Sequence, residues 1–336
     1  MTHRIVVGAD EAGYGPNIGP LLIVATAWSL PQMMTNDQFS EALATTFRMR
    51  NWSTGCDHVP LGDSKQLFQP SVGLASLEAG LLALMQQIDA PSQPLFAKNL
   101  QTFKQFVEWP KTLAGAGGSE LPHEEHLAPW YAGLEQWPVP VFHTSDEIAR
   151  LAELARSNLA AHEIRLIGCR AAIVTESAFN AEVAVSGSKG QLLSAKTLEL
   201  VRSFCNDDPR CIEVFCDRQG GRKNYLPILL DAMPDEWFIE TLQSPTRCSY
   251  RNTAGPRRDF HFTVGGDSFA PTALASMLAK YLRERLMHSV NDFWKQHVPD
   301  IKPTAGYPLD AKRFRSEIEA AAKRLDLPEA CWWRCK

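Results

Sequence analysis

The sequence predicts an α/β fold, built from a β-sheet and flanking helices. Segments rich in β-branched residues alternate with segments whose apolar residues recur at helical spacing, and this alternation runs along most of the chain. Hydrophobic residues make up 45% of the 336 residues and charged residues 21%, a composition typical of a globular protein with a sizeable core. Composition therefore excludes a disordered chain, but it names no activity.

A hairpin is predicted near the start of the sequence. Arg4–Gly8 and Leu21–Trp28 are two β-branched runs, and the stretch DEAGYGPNIGP between them is rich in the glycine and proline of turns. We therefore expect charged residues at the tip of this hairpin.

Two helices and an insertion follow the hairpin. Helical spacing predicts one helix over Leu74–Gln87 and another that is capped by Ser145 and continues to His162. Between them, at about 90–144, apolar periodicity fades while proline, glycine and tryptophan become frequent. We interpret this stretch as an insertion or subdomain.

The second half of the chain continues the alternation of strands and helices. The predicted strands are Ile164–Thr175, Cys211–Cys216 and Asp259–Val264, and the predicted helices are Leu192–Phe204, Ser268–Val290 and Leu309–Leu325. The last strand leads into the sequence GGDS, which immediately precedes the longest of these helices.

Charge, hydropathy and cysteine usage narrow the class of protein. The net charge of −4 gives no global basic surface, so nucleic-acid binding would need local patches or bound metal. No segment approaches the roughly 18 apolar residues of a membrane span, so we expect a cytoplasmic protein that binds no membrane. The eight cysteines have irregular spacings and no CxxC pair, which predicts reduced thiols instead of a zinc ribbon or a disulfide framework.

Four acidic residues stand where a predicted strand ends or a helix begins. Asp10 and Glu11 follow VVGA, Asp217 follows IEVFC, and Asp267 precedes the long helix. Carboxylates gathered in one cleft raise each other's pKa values unless cations neutralise them, and Mg²⁺ prefers such oxygen ligands. Two ions about 3.5–4 Å apart would activate a water and stabilise the leaving oxygen of a phosphodiester. Each acid taken alone, however, also fits a helix cap or a turn.

Three sequence blocks connect these acids to a known family. They are GADEAGYGP at 8–16 followed by Gly19-Pro20, DSKQL at 63–67, and GDS at 266–268 leading to ASMLAK at 275–280. In the same order they resemble the DEAGRG and GP, DSKKL and AASILAK blocks of ribonuclease HII. The segment ending at Asp217 resembles the VDG strand end of that family, and Gly306-Tyr307 resembles its GY pair. Outside about 70–165, the chain thus resembles a divergent ribonuclease HII.

This resemblance implies an RNase H fold, a mixed sheet flanked by helices, and endonucleolytic cleavage on the 5′ side of a ribonucleotide. The expected partner is nucleic acid, either an RNA–DNA hybrid or a DNA duplex containing ribonucleotides; protein partners are left open. Asp10, Glu11, Asp217 and Asp267 would be the catalytic metal ligands, and Mg²⁺ or Mn²⁺ the cofactor. The expected domains are a catalytic domain over 1–300, with the insertion at about 90–144, and a C-terminal helical extension over 301–336.

The resemblance also suggests substrate-binding residues. The loop of Gly13, Tyr14 and Gly15 would read the ribose 2′-hydroxyl, because glycine lets the backbone approach the substrate closely. Lys65 and Lys280 are candidate phosphate contacts or solvated surface lysines. Two further features also remain open: Tyr307 could stack on a sugar or pack in a turn, and the run 218–223 could be a phosphate-binding loop or a surface turn.

The sequence departs from the family at the same loop. Tyr14 stands where the family has arginine, and the glycine of VDG is replaced by Arg218. Loss of a cation at position 14 predicts weaker attraction for phosphate and a reduced preference for a single ribonucleotide in duplex DNA. Two other functions stay open: a nucleic-acid-binding protein of the same fold with altered catalysis, and a nuclease acting on another DNA or RNA structure.

Overall fold

The structure is a computed structural model that describes residues 3–48, 52–68, 73–88, 103, 128–205, 208–219 and 221–335. Its strands are β1 (His3–Ala12), β2 (Leu21–Pro31), β3 (Phe47–Arg48), β4 (Val59–Pro60), β5 (Arg165–Val174), β6 (Ile212–Asp217), β7 (Phe238–Gln243), β8 (Arg247–Asn252) and β9 (Arg258–Thr263). Its α-helices are α1 (Asn36–Ala44), α2 (Ser64–Leu67), α3 (Ala75–Met85), α4 (Ser145–Ala161), α5 (Glu176–Ser186), α6 (Lys189–Cys205), α7 (Leu226–Ala232), α8 (Ala270–His297) and α9 (Pro308–Arg324).

A seven-stranded mixed sheet forms the centre of the fold, in the order β5-β2-β1-β6-β9-β8-β7. Strand β1 is antiparallel to β2 and parallel to β6, and β6 is in turn parallel to β9. A separate two-stranded sheet pairs β3 with β4. The predicted fold class, a mixed sheet flanked by helices, is confirmed.

Alternation along β1 sends its side chains into two hydrophobic cores on opposite faces of the sheet. Val6 packs into the core that contains α3, α4 and α8, whereas Ile5 and Val7 pack into the core that contains α5, α6 and α7. Burial on both faces explains why β1 reads as a continuous apolar run.

The long helix α8 starts directly against β1. A Cβ atom on Gly8 would lie 2.2 Å from the carbonyl carbon of Pro271, so only glycine allows this approach. Thr26 of β2 donates a hydrogen bond of 2.8 Å to the carbonyl oxygen of Pro271. These contacts place the beginning of α8 beside the acidic end of β1.

The structure corrects several predicted boundaries. Strand β1 continues to Ala12, so Asp10 and Glu11 lie within the strand instead of in the hairpin turn. The cap of α4 is Thr144, which forms a capping box with Glu147, and Ser145 is the first helical residue. Helices α1, α2, α5 and α7 and the strands β3, β4, β7 and β8 were not predicted from the sequence.

Most of the predicted insertion lies outside the described residues. Its described residues, 103 and 128–144, include the 3₁₀ turns Pro129–Tyr131 and Leu134–Gln136, with Trp130 buried in the core beside α8. All eight cysteines are free, as expected. A helix long and apolar enough to cross a membrane does not occur among the described residues.

Candidate active site

The four predicted acids come from neighbouring strand ends. Asp10 and Glu11 lie near the end of β1, and Asp217 is the last residue of the parallel strand β6. Asp267 lies in the 3₁₀ turn Gly266–Ser268, which follows β9. Because parallel neighbouring strands end at the same edge of a sheet, the topology places these side chains in one region. The backbone N–H of Gly266 donates to Asp217 Oδ1 at 3.0 Å and joins the two strand ends.

Burial and mutual repulsion raise the pKa values of the two acids of β1. Burial raises the pKa of Asp10 to about 7, a hydrogen bond with Ser276 opposes this rise, and the charges of Asp217 and Asp267 add to it. Burial, followed by the charges of Asp10 and Asp217, raises the pKa of Glu11 to about 8. The acids from three chain segments are therefore close enough to influence each other's ionisation.

Asp267 is linked to the second sequence block. Burial and then the charge of Asp63 raise the pKa of Asp267, and the charge of Lys65 opposes this rise. The Nζ atom of Lys65 lies 4.0 Å from Asp267 Oδ2, although 81% of the Lys65 side chain is exposed. Asp63 also caps the short helix α2 by accepting a hydrogen bond of 2.8 Å from the Lys65 N–H. Asp63 is therefore an additional acid of this site, to which the sequence analysis assigned no role.

Side-chain contacts link all three sequence blocks. The Ser276 side chain of the third block opposes the rise in the pKa of Asp10 of the first, and the Oγ atom of Ser276 lies 3.0 Å from the Oγ atom of Ser64 in the second. Both serines are buried. Ser64 and Ser276 lay inside the blocks quoted from the sequence, but only the folded chain shows that they support Asp10.

The glycine loop requires its unusual backbone. Gly13 has φ +88°, and a Cβ atom there would lie 2.5 Å from the carbonyl oxygen of Pro20 and 2.7 Å from Nε of Arg283. Gly15 is exposed, and a Cβ atom there would meet only Tyr307, at 3.9 Å from Cε1. The structure thus places Tyr307, itself 52% exposed, beside the loop.

Arg334, a buried residue near the C-terminal end, forms hydrogen bonds with the loop between β1 and β2. The guanidinium of Arg334 donates to the carbonyl oxygens of Gly13 at 2.7 Å, Tyr14 at 3.1 Å and Gly19 at 3.2 Å. It also lies 4.0 Å from the ring centroid of Phe179. Burial lowers the pKa of Arg334 to about 10, so the group stays charged at neutral pH. No motif or periodic pattern in the sequence indicated this contact.

Glu176 is a buried carboxyl group that contacts the same loop and acts electrostatically on Arg334. It accepts hydrogen bonds from the backbone N–H of Gly19 at 3.0 Å and from the hydroxyl of Tyr131 at 3.1 Å, and its charge favours the charged form of Arg334. Burial raises the pKa of Glu176. The loop between β1 and β2 is therefore fixed by side chains from distant parts of the chain.

The remaining predicted residues differ in their surroundings. Tyr14 is partly buried, with the Nζ atom of Lys189 at 4.8 Å from its ring centroid. The ammonium of Lys280 donates to Glu284 at 2.7 Å and lies 4.5 Å from the ring centroid of Phe68. Lys280 is thus already paired, while Lys65 stands beside the acids.

The acids suit a divalent metal ion by their chemistry. All four predicted ligands are carboxylates, the hard oxygen donors that Mg²⁺ and Mn²⁺ prefer, and a bound cation would oppose the burial and repulsion that raise the pKa values of Asp10 and Glu11. Within the described residues, no three His, Cys, Asp or Glu side chains are gathered into a ready-made metal-binding group. The argument for a metal ion therefore rests on the carboxylate oxygens and their negative charge, and not on preformed metal-binding geometry.

Comparisons with known proteins give structural matches only. No family model and no curated protein matches the chain. The structure of the PCNA:RNase HII complex from Archaeoglobus fulgidus matches with 12% identity and a TM-score of 0.41, covering 99% of this chain and 94% of the other. Ribonuclease H2 from Pyrococcus horikoshii OT3 matches with 12% identity and a TM-score of 0.42, covering 98% and 92%.

Bst-RNase HIII in complex with Mn²⁺ also matches, with 12% identity and a TM-score of 0.39, over 98% of this chain and 66% of that chain. The chain is similar in structure to RNase HII and RNase HIII. At this identity, the similarity assigns no role to any residue.

Proposed function

We propose that this protein is a metal-dependent endoribonuclease that cleaves the RNA strand of RNA–DNA hybrids or cuts at ribonucleotides in DNA. The main support is that three separate sequence blocks meet beside the acids: Ser64 of the second block lies 3.0 Å from Ser276 of the third, and the Ser276 side chain acts on the ionisation of Asp10 in the first. A structural cluster with no ligand would not need several mutually repelling carboxyl groups in one partly buried place.

In this proposal Asp10, Glu11, Asp217 and Asp267 hold the metal ions. Bound Mg²⁺ or Mn²⁺ would supply an activated water and stabilise the leaving oxygen of the phosphodiester. The exposed ammonium of Lys65 lies at the edge of the acids, where it can attract a phosphate.

The glycine loop provides recognition of the sugar. Gly13 and Gly15 carry no side chains, so a ribose can approach their backbone closely and its 2′-hydroxyl can be distinguished from deoxyribose. Tyr307, beside Gly15, offers an exposed ring that can pack against the neighbouring sugar.

A panel of matched duplexes tests this function. Duplexes with one ribonucleotide, four ribonucleotides or none are incubated with the protein in Mg²⁺, in Mn²⁺ or in chelator. We expect metal-dependent cleavage of the ribonucleotide-containing strands only. Equal cutting of the all-DNA duplex would reject ribonuclease specificity and point to a nuclease of another substrate class.

A second candidate is a nucleic-acid-binding protein that has altered or lost catalysis on the same fold. It is favoured by one observation, that no ready-made group of three metal-ligating side chains occurs in the part of the chain that the structure describes. Tight binding of a hybrid without cleavage in either metal would support this candidate over the enzyme.

A further inference from the structure

Two cations converge on the hydroxyl end and ring of Tyr14. The Nζ atom of Lys189, the first residue of α6, lies 4.8 Å from the ring centroid of Tyr14. Gly190 lies between the groups, since a Cβ atom there would be 3.5 Å from Tyr14 Oη and 3.7 Å from Nη2 of Arg222. The ammonium of Lys189 thus lies near the ring of Tyr14, and the hydroxyl of Tyr14 and the guanidinium of Arg222 both lie near Gly190.

Neither cation is ion-paired in the part of the chain that the structure describes. Among the described residues, neither Lys189 nor Arg222 forms an ion pair, whereas Lys196 on the same helix lies 3.4 Å from both Glu182 and Glu199. A cation that forms no ion pair with a carboxylate can bind an anion such as a phosphate oxygen.

The two cations are held in place by elements that are tied together. Buried Gln219 accepts a hydrogen bond from Ser194 and donates one to Thr197, both in α6, at 2.7 Å each. The Nε atom of Arg218 donates to the carbonyl oxygen of Arg222 at 2.9 Å. The turn that carries Arg222 is therefore anchored to the helix that begins with Lys189.

The cluster adjoins the acids as well. Burial, followed by the charge of Glu11, raises the pKa of Tyr14, and the charge of Arg222 opposes that rise. A nucleic-acid strand whose scissile bond lay at the acids would thus pass over Tyr14 within a short distance.

We propose that Tyr14, Lys189 and Arg222 form a phosphate-binding subsite for a phosphodiester of a nucleic-acid strand that crosses the loop of Gly13 and Gly15. The proposal rests on the proposed function for its ligand class. Arginine offers forked N–H donors and lysine a compact charge, and both bind phosphate oxygens. The subsite supplies, from two distant segments, the positive charge that tyrosine at position 14 does not provide.

Salt-dependent binding tests the subsite separately from cleavage. Binding of a fluorescein-labelled RNA–DNA hybrid is measured by anisotropy in chelator over a salt series, for wild type, Lys189→Gln, Arg222→Gln and the double variant. Each lost phosphate contact should lower the slope of log affinity against log salt by about one unit. Raising the salt from about 50 to 200 mM weakens binding by a certain factor, and that factor should be about fourfold smaller for each removed charge.

Lys196→Gln is the matched control, because it removes a paired lysine from the same helix. Its salt slope should equal that of wild type. Gly190→Glu is a second probe, since a Cβ atom fits there at ordinary contact distances and the carboxylate would compete with phosphate for the cations. This variant should bind more weakly while its melting temperature stays near the wild-type value.

The outcomes separate the two proposals. Unchanged salt slopes in both single variants, or no binding of the hybrid by wild type, would overturn the subsite. Cleavage with unchanged slopes would overturn the subsite and leave the ribonuclease proposal in place. Reduced slopes without any metal-dependent cleavage would support the subsite and count against the enzyme.

Discussion

The guanidinium of Arg334 donates a hydrogen bond of 2.7 Å to the carbonyl oxygen of Gly13, although the two residues are 321 positions apart in the sequence. This contact joins the segment after α9 to the loop that follows the predicted catalytic acids. Because the arginine is buried, its loss would leave polar groups of the loop without partners in a water-poor environment.

Arg334→Met should therefore destabilise the protein by about 3 kcal/mol or more, since three carbonyl oxygens lose their donor and Glu176 loses a neighbouring positive charge. Chemical denaturation measures the change. Arg315→Met is the control, because its pair with Glu329 is half exposed and should contribute less than about 1 kcal/mol. Equal effects of both substitutions would contradict the role of Arg334 in holding the loop.

Gly13→Ala should disrupt the loop, whereas Gly15→Ala should be tolerated. The first substitution puts a Cβ atom 2.5 Å from the Pro20 carbonyl oxygen at a φ of +88°, and the second meets only Tyr307 at 3.9 Å. We expect Gly13→Ala, but not Gly15→Ala, to lower the free energy of unfolding by about 1–3 kcal/mol and to abolish hybrid binding. Thermal melting and anisotropy compare the pair, and a well-folded Gly13→Ala that binds normally would refute the expected strain.

Asp10→Asn and Asp267→Asn should each abolish metal-dependent cleavage without unfolding the protein. The amide keeps the shape of the side chain but loses the charge that holds a cation, so we expect at least a hundredfold lower rate. Asp231→Asn, on α7, is the control and should cleave normally. Undiminished cleavage by both site variants would reject the two-metal mechanism.

Stability in acid should depend on Glu213. Burial alone would raise its pKa, but hydrogen bonds with His261 and Asn36 and the charges of His261 and Arg4 lower the pKa to about 2. A lowered folded-state pKa stabilises the protein above the unfolded value of 4.5, and this stabilisation is lost as the pH falls through about 2. Glu213→Gln should thus cost on the order of 2 kcal/mol at pH 6.

Denaturant titrations at pH 6 and pH 2.5 measure this difference. The difference in free energy of unfolding between wild type and Glu213→Gln should be smaller at pH 2.5 than at pH 6. Glu153→Gln serves as control, because Glu153 is 62% exposed in its pair with Arg156 and should matter little at either pH. A gap that did not depend on pH would show that Glu213 acts through packing and not through its charge.

Much of the fold could be predicted from local patterns in the sequence. The β-branched runs predicted β1 and β2, and helical spacing predicted α3, α4, α6, α8 and α9. The helix α1 was missed because it spans only nine residues, and the hairpin of β7 and β8 was missed because β7 is mostly exposed and β8 mixes buried apolar residues with polar ones. The predicted acids came from motif blocks, and their shared catalytic role stays a prediction.

What the sequence by itself determined is the identity of the blocks that contain Asp10, Asp63 and Asp267, and the α/β fold class of the chain. Only the tertiary structure decided that Arg334 supports the glycine loop and that Lys189 and Arg222 lie beside Tyr14. Such contacts join residues far apart in the chain, and they depend on strand order and helix docking. A periodic pattern records which face of an element is buried, but it does not record which distant side chain will lie against that face.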